Sequence, residues 1–219
     1  MSDEIILIDK PANMTSFGVV ARVRRVLSRQ AGKKVKVGHC GTLDPFATGL
    51  LILVTGKMTR RAMEFTKLDK VYEAEIVLGK QSTTGDTEGD ITTVSALQPT
   101  RQQVEVALTA FSGEITQTPP IFSAIKINGQ RAYKLARDGK EVEIPKRQVT
   151  IYSLEIINYT YPSLTIRTHV SSGTYIRSLA VDIGAALGTG AYCRVLRRTK
   201  IADFSIDNAK KLAEFGIEN

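Results

Sequence analysis

Apolar and polar residues along this chain fall into short blocks of two different periods. EIILID, residues 4–9, reads as a short strand. In SFGVVARVRRVLSRQ, 16–30, Phe17, Val20, Val23 and Leu27 recur at spacings of three and four. That predicts a helix with those side chains on one face, Arg22, Arg25 and Arg29 on the other, and Ser16 as its cap. VKVG and GLLILVTG read as buried strands flanking a loop. MTRRAMEFTKL predicts a helix, VYEAEIVLG a strand, and the polar, glycine-rich KQSTTGDTEGD, 80–90, a loop.

RQQVEVALTAF predicts a further helix. Asn128-Gly129 signals a tight turn, and RAYKLARDG a short helix stopped by Gly139. QVTIYSLEIINY and SLTIRTHVSS, joined at Tyr161-Pro162, read as an antiparallel hairpin. TYIRSLAVDIGAALG is the clearest helix, with Ile176, Leu179, Ala180 and Ile183 at helical spacing. AYCRVLRRTKIADFSI predicts a strand pair or one long strand, and DNAKKLAEFG a last short helix. Hairpins interleaved with helices imply an α+β fold with a mixed, mostly antiparallel central sheet, rather than a doubly wound one.

Composition narrows the class. With 42% apolar and 24% charged residues over 219 positions, disorder and a collagen-like fibre are excluded. The longest apolar run, Leu50 to Val54, is too short to span a membrane, and no signal peptide is evident, so the expected place is the cytoplasm. Two cysteines without a CxxC read as reduced thiols, and with two histidines they leave too few ligands for a metal site. The net charge is +8, and its distribution matters more: eight Lys/Arg and no acid from Lys10 to Leu43, then four more in RVLRRTK, 194–200. Clustered positive charge of this kind points to a polyanion, favouring nucleic acid over a plain solvated surface.

Several common chemistries fail. VTGKMT lacks the first glycine of a phosphate loop, because position 51 is Leu. GAALGTG is not a dinucleotide fingerprint and follows a helix; no GxSxG is present. What stands out is KVGHCGTLDPFATGLLIL, 36–53, with its single carboxylate, Asp44. Gly38 and Gly41 allow unusual backbone angles, and Pro45 pushes Asp44 towards an extended conformation. On residue types alone, Asp44 reads first as a turn aspartate bonding its own backbone. A carboxylate presented to a substrate is the second reading.

GHCGTLDPFATGLLIL resembles the signature of the TruB family of tRNA pseudouridine synthases, which isomerise uridine 55 in the TΨC loop of tRNA. DKPANMTS resembles the family's Lys-Pro motif, Lys70-Val71-Tyr72 its tyrosine motif, and residues 79–90 its Gly/Asp loop, with Asp86 at the matching acid. PPIFSAIKINGQRAYKLARDG, SSGTYIRSLAVDIG and YCRVLRRT resemble later family segments, in family order over residues 4–204. The resemblance implies the pseudouridine synthase fold and a reaction with no cofactor and no metal. Asp44 would be the nucleophile, and one acid suffices because nothing is hydrolysed. Arg177 would pair with it and keep it ionised. Tyr72 would pack on the target base and serve in proton transfer. Tyr175 and Leu196 would line the base pocket, and His39 would sit near the space that the flipped base vacates. Lys10 would support the active-site loop, and the Arg22–Lys36 and Arg194–Lys200 runs, Arg197 included, would contact phosphates.

Departures from the family pattern are small. Asn13 stands where glycine is frequent and can adopt a left-handed turn; Cys40 replaces a small or hydroxylated residue and reads as a buried thiol; Thr83 stands where some members carry an acid. Many members continue into a small C-terminal PUA-type domain, whereas this sequence stops at Asn219. The expectation is therefore a single catalytic domain over 1–219, a monomer that acts on the T-arm stem-loop of tRNA without an obligate protein partner or a membrane. A tRNA-folding chaperone is the competing class. Guide-dependent archaeal and eukaryotic relatives, which share the GTLDP loop, are a third.

Overall fold

The computed structural model describes residues 3–123, 125–127, 129–138 and 143–217. In chain order the first elements are strand β1 (Ile5–Lys10), helix α1 (Ser16–Ala31), β2 (Val37–Cys40), β3 (Thr48–Thr55), a 3-10 turn (Gly56–Arg61), α2 (Ala62–Thr66) and β4 (Lys70–Leu78). Next come β5 (Lys80–Ser82), β6 (Ile91–Thr93), α3 (Arg101–Thr109), β7 (Gly113–Gln117), β8 (Lys126–Ile127), β9 (Gln130–Arg131) and α4 (Ala132–Arg137). The chain then forms β10 (Arg147–Thr160), β11 (Ser163–Val170), α5 (Ile176–Ala186), β12 (Ala191–Ile201) and β13 (Phe204–Ser205), and ends in two 3-10 turns, Ile206–Asn208 and Leu212–Phe215.

These elements divide into two compact units, one made of residues 1–73 and 196–219, the other of 74–195. In the first, β3 is the spine. It pairs antiparallel with β1 from Ile5↔Val54 to Lys10↔Gly49, antiparallel with β2 from Val37↔Thr55 to Cys40↔Ile52, and parallel with β12 at Arg197↔Thr48 and Arg198↔Gly49. The sheet is therefore mixed, as its α+β reading requires. β3 runs between neighbours and nearly all of it is buried, which is why LLILV has no polar alternation. On one side Leu51 and Leu53 pack with Ile8, with Val19, Val20 and Val23 of α1, and with Leu212. On the other, Leu50, Ile52 and Val54 pack with Cys40, Phe65 and Ile201. Gly49 has a positive φ of 102°, and a β-carbon there would lie 2.3 Å from the Arg198 carbonyl, so only glycine admits the parallel strand.

In the second unit the strand order is β4, β11, β10, β7, with α3 and α5 as its longer helices. β10 and β11 form the expected hairpin through Thr160↔Ser163, and the Tyr161–Pro162 peptide is cis. Ile176, Leu179, Ala180 and Ile183 of α5 are all buried, as their spacing predicts.

Several local expectations change. Thr15, not Ser16, caps α1, accepting from Gly18 N–H at 2.9 Å. Phe17 is 63% exposed; Val19 takes the core position in its place. The 80–90 loop is flanked by a small hairpin of β5 and β6. The segment around 58–68 splits into a 3-10 turn and a short α-helix, and the predicted last helix is two 3-10 turns. β7 was not expected at all. Gly38 has no positive φ, whereas Gly41 does, at 92°, and Asn13 is left-handed at 59°. Asn128 of the predicted turn and Gly139, the predicted helix stop, lie outside the described residues.

Candidate active site

In the first unit Asp44 sits, half-buried, in the turn that links β2 to β3. Its carbonyl accepts from Ala47 N–H at 3.2 Å across Pro45-Phe46, a β-turn with proline at its favoured second position. The surrounding backbone is held by three buried side chains from three different elements. Lys10, fully buried at the end of β1, donates to the carbonyls of Pro11 at 2.8 Å, Met14 at 2.6 Å and Pro45 at 3.1 Å. Ser16, in the first turn of α1, donates to Leu43 O at 3.1 Å and accepts from Leu43 N–H at 2.9 Å. Arg198, 1% exposed on β12, donates to Leu50 O at 2.8 Å and Gly41 O at 3.1 Å. The loop is thus pinned at Gly41, Leu43 and Pro45, on both sides of the acid.

Two features of this unit follow from burial. His39, on β2, has its pKa held below the ordinary value by burial and then by the Arg198 charge, so its ring is neutral at physiological pH. Lys70 opens β4 with its ammonium donating to Thr66 O at 2.7 Å and to Leu68 O. Burial, with Arg198 adding repulsion and Asp69 opposing both, pushes it down to about 8. The Cys40 thiol is buried and pushed up to about 11, which keeps it protonated and inert.

Tyr72 is 7% exposed on β4 and shares the buried phase of that strand with Lys70. Leu196 is buried on β12. Arg197, the next residue, turns the other way and makes a bidentate pair with Asp9, at 3.1 and 2.9 Å.

The second unit carries Arg177, Asp86 and Tyr175. Arg177, 3% exposed at the start of α5, forms an ion pair with Asp86 at 3.0 Å and donates to Thr84 O at 3.0 Å and Phe122 O at 2.8 Å. Asp86, 1% exposed, also accepts from Thr84 Oγ at 2.5 Å and Glu88 N–H at 2.9 Å. A buried pair is stable only with such additional hydrogen bonds around it. Tyr175 is held by its backbone: fully buried Gln117 accepts from its N–H at 2.8 Å and donates to its carbonyl at 3.0 Å. The Arg147 guanidinium lies 5.7 Å from the centre of its ring.

The family model described as TruB family pseudouridylate synthase (N terminal domain) matches residues 24–176, and the tRNA pseudouridylate synthase B C-terminal domain matches residues 177–216. The tRNA pseudouridine synthase B of Azoarcus sp. (strain BH72) is 45% identical over 96% of this chain and 68% of its own length. That of Phocaeicola vulgatus is 44% identical over 97% of this chain and 91% of its own. The chain belongs to the TruB family of pseudouridylate synthases.

Among solved structures, a Cbf5-Nop10-Gar1 complex contains a chain similar to this TruB-family member, with a TM-score of 0.73, 30% identity and 98% of this chain covered. The match spans 56% of that solved chain. The pseudouridine synthase fold inferred for this TruB chain thus stands. Gln117 carried no signal in the sequence, Ser16 was legible only as a helix cap, Lys70 only as a neighbour of Tyr72, and Arg198 only as part of a basic run. The Leu-Arg-Arg segment points to Arg198 without separating it from Arg197.

Proposed function

We propose that this chain is a tRNA pseudouridine synthase that isomerises uridine 55 in the TΨC loop, acting on the T-arm in the cytoplasm as a monomer and without a protein partner. What supports the reading most is the Asp44 loop: an acid in a half-buried turn whose backbone is pinned on both sides by Lys10, Ser16 and Arg198. Such pre-organisation suits a nucleophile that must meet a carbon atom at a set angle. The uridine is flipped out of the folded RNA, and Asp44 attacks either the ribose C1′ or the base C6. The N1–C1′ bond breaks, the base turns, and C5 joins C1′ as the carboxylate leaves. N1 ends with a proton and C5 gives one up, so atoms balance without water or a cofactor.

In this reading Tyr72 is the group that receives the C5 proton, and Asp86 holds Arg177 at the start of α5. Leu196 borders the base, and His39 sits near the space that the flipped base vacates. The exposed arginines of α1 meet phosphates, which add affinity without reading sequence. The test is conversion of an unmodified T-arm stem-loop by the purified chain alone. Conversion supports stand-alone catalysis. Binding and refolding of tRNA without conversion moves the chaperone reading ahead, and conversion only with added proteins and a guide RNA favours the partner-dependent class.

A further inference from the structure

The geometry points to Arg198 as a positioning residue for Asp44, an inference that rests on Asp44 being the reacting group. The β2–β3 ladder ends at Cys40↔Ile52, where the chain leaves the sheet to form the loop. Gly41 and Leu50 stand just beyond that last rung, one on each side of the loop's neck. Arg198 bridges their carbonyls with two arms of one guanidinium, Nε to Leu50 and Nη2 to Gly41. The side chain thereby replaces the rung that the departing backbone cannot make.

A planar fork suits this task better than any other side chain, because one rigid group fixes two acceptors in a set relation. Its position also agrees with the pattern along β12. Leu196 and Arg198 are both buried, two residues apart, on one face, while Arg197 faces Asp9. Clustered basic charge suggests phosphate contact for this whole segment, but a guanidinium 1% exposed and bonded to two carbonyls cannot meet an RNA backbone.

The test uses Arg198→Lys and Arg198→Gln, each of which keeps one donor for one of the two carbonyls. Single-turnover conversion of uridine in a T-arm stem-loop is measured with enzyme in excess, together with stem-loop affinity, its salt dependence, and hydrogen exchange at the Leu43 and Ala47 amides. We expect conversion to slow by roughly 100-fold, the scale of an ångström's misplacement of a reacting group, with affinity and salt dependence unchanged and faster exchange at both amides. Val23→Ala, which loosens the core behind α1, serves as the control: it lowers thermal stability but leaves conversion per folded molecule unchanged. Weaker binding with a shallower salt dependence and a normal rate would make Arg198 a phosphate contact and overturn the inference. So would a normal rate with unchanged exchange. If the wild type itself converts nothing, the pseudouridylation reading fails, and the exchange data alone decide whether Arg198 holds the loop.

Discussion

Replacing Ser16 with alanine removes one oxygen atom and two hydrogen bonds. Both go to Leu43, next to Asp44: the hydroxyl donates to its carbonyl at 3.1 Å and accepts from its amide at 2.9 Å. Ser16 and Leu43 are 2% and 4% exposed, so no solvent replaces the lost partner. Each lost bond costs about 0.5–1.5 kcal/mol net, and leaving a buried amide or carbonyl unsatisfied raises that to about 1–3 kcal/mol. The expected destabilisation for the two together is therefore about 2–6 kcal/mol, and at about 2–4 °C per kcal/mol for a chain of this size Tm falls by at least roughly 4 °C. A capping serine would give a different result, about 1 kcal/mol and no effect on catalysis, but Thr15 holds the cap. Because the lost bonds adjoin Asp44, single-turnover conversion per folded molecule should also drop roughly tenfold. Thermal unfolding followed by circular dichroism, with a stem-loop conversion assay on the same samples, measures both. A stability loss under about 1 kcal/mol with normal conversion would refute the view that Ser16 pins the loop.

Lys70 predicts a pH effect. Below about 8 the folded and unfolded chains both carry its proton, and the full burial penalty is present. Between about 8 and 10.5 the folded chain releases the proton while the unfolded chain keeps it, so stability rises, by up to about 3 kcal/mol. Urea unfolding of wild type and Lys70→Met across this range should show the rise in the difference between the two curves, because the Cys40 thiol, pushed up to about 11, lowers both alike in the upper part of the range; parallel curves would rule the linkage out. On the α1 face, changing Arg24, Arg25 and Lys34 together to glutamine should flatten the log–log salt slope of RNA binding by roughly two units, with the rate at saturation unchanged. These three line an open basic cavity of about 360 Å³ with Ala21 and Ser28. Arg197→Gln, which breaks only the pair with Asp9, should leave that slope where it was; an equal flattening would mean that Arg197 meets phosphate.

Legibility in the sequence followed locality. The hairpin of β10 and β11 and the core face of α5 could be read because each rests on a short-range period. β7, GEITQ, could not, since a short polar strand is defined by its partner, here Arg147–Ile151 of β10. Within α1 the helix was legible but its rotation was off: Val19 is buried where Phe17 was expected, a shift that depends on what β1 and β3 present to it. The candidate site divides in the same way. Asp44 could be singled out because it lies in one contiguous stretch, GHCGTLDPFATGLLIL, that resembles a family signature; its glycines and proline alone suggested only a turn. What holds it could not, because Lys10, Ser16 and Arg198 reach the loop from 27 to 157 residues away, and a buried arginine beside a half-exposed one looks the same in a string. The strand period separates Arg197 from Arg198 only once β12 is known to be a strand buried on one face.

In the proposed mechanism Asp44 is the reacting acid of a stand-alone tRNA pseudouridine synthase. The most direct measurement is conversion of uridine 55 in an unmodified T-arm stem-loop by wild type and by Asp44→Asn, with stem-loop affinity measured for both. Complete conversion by the wild type, none by the variant, and similar affinities are the expected result. Conversion by Asp44→Asn at a rate near that of the wild type would contradict the mechanism.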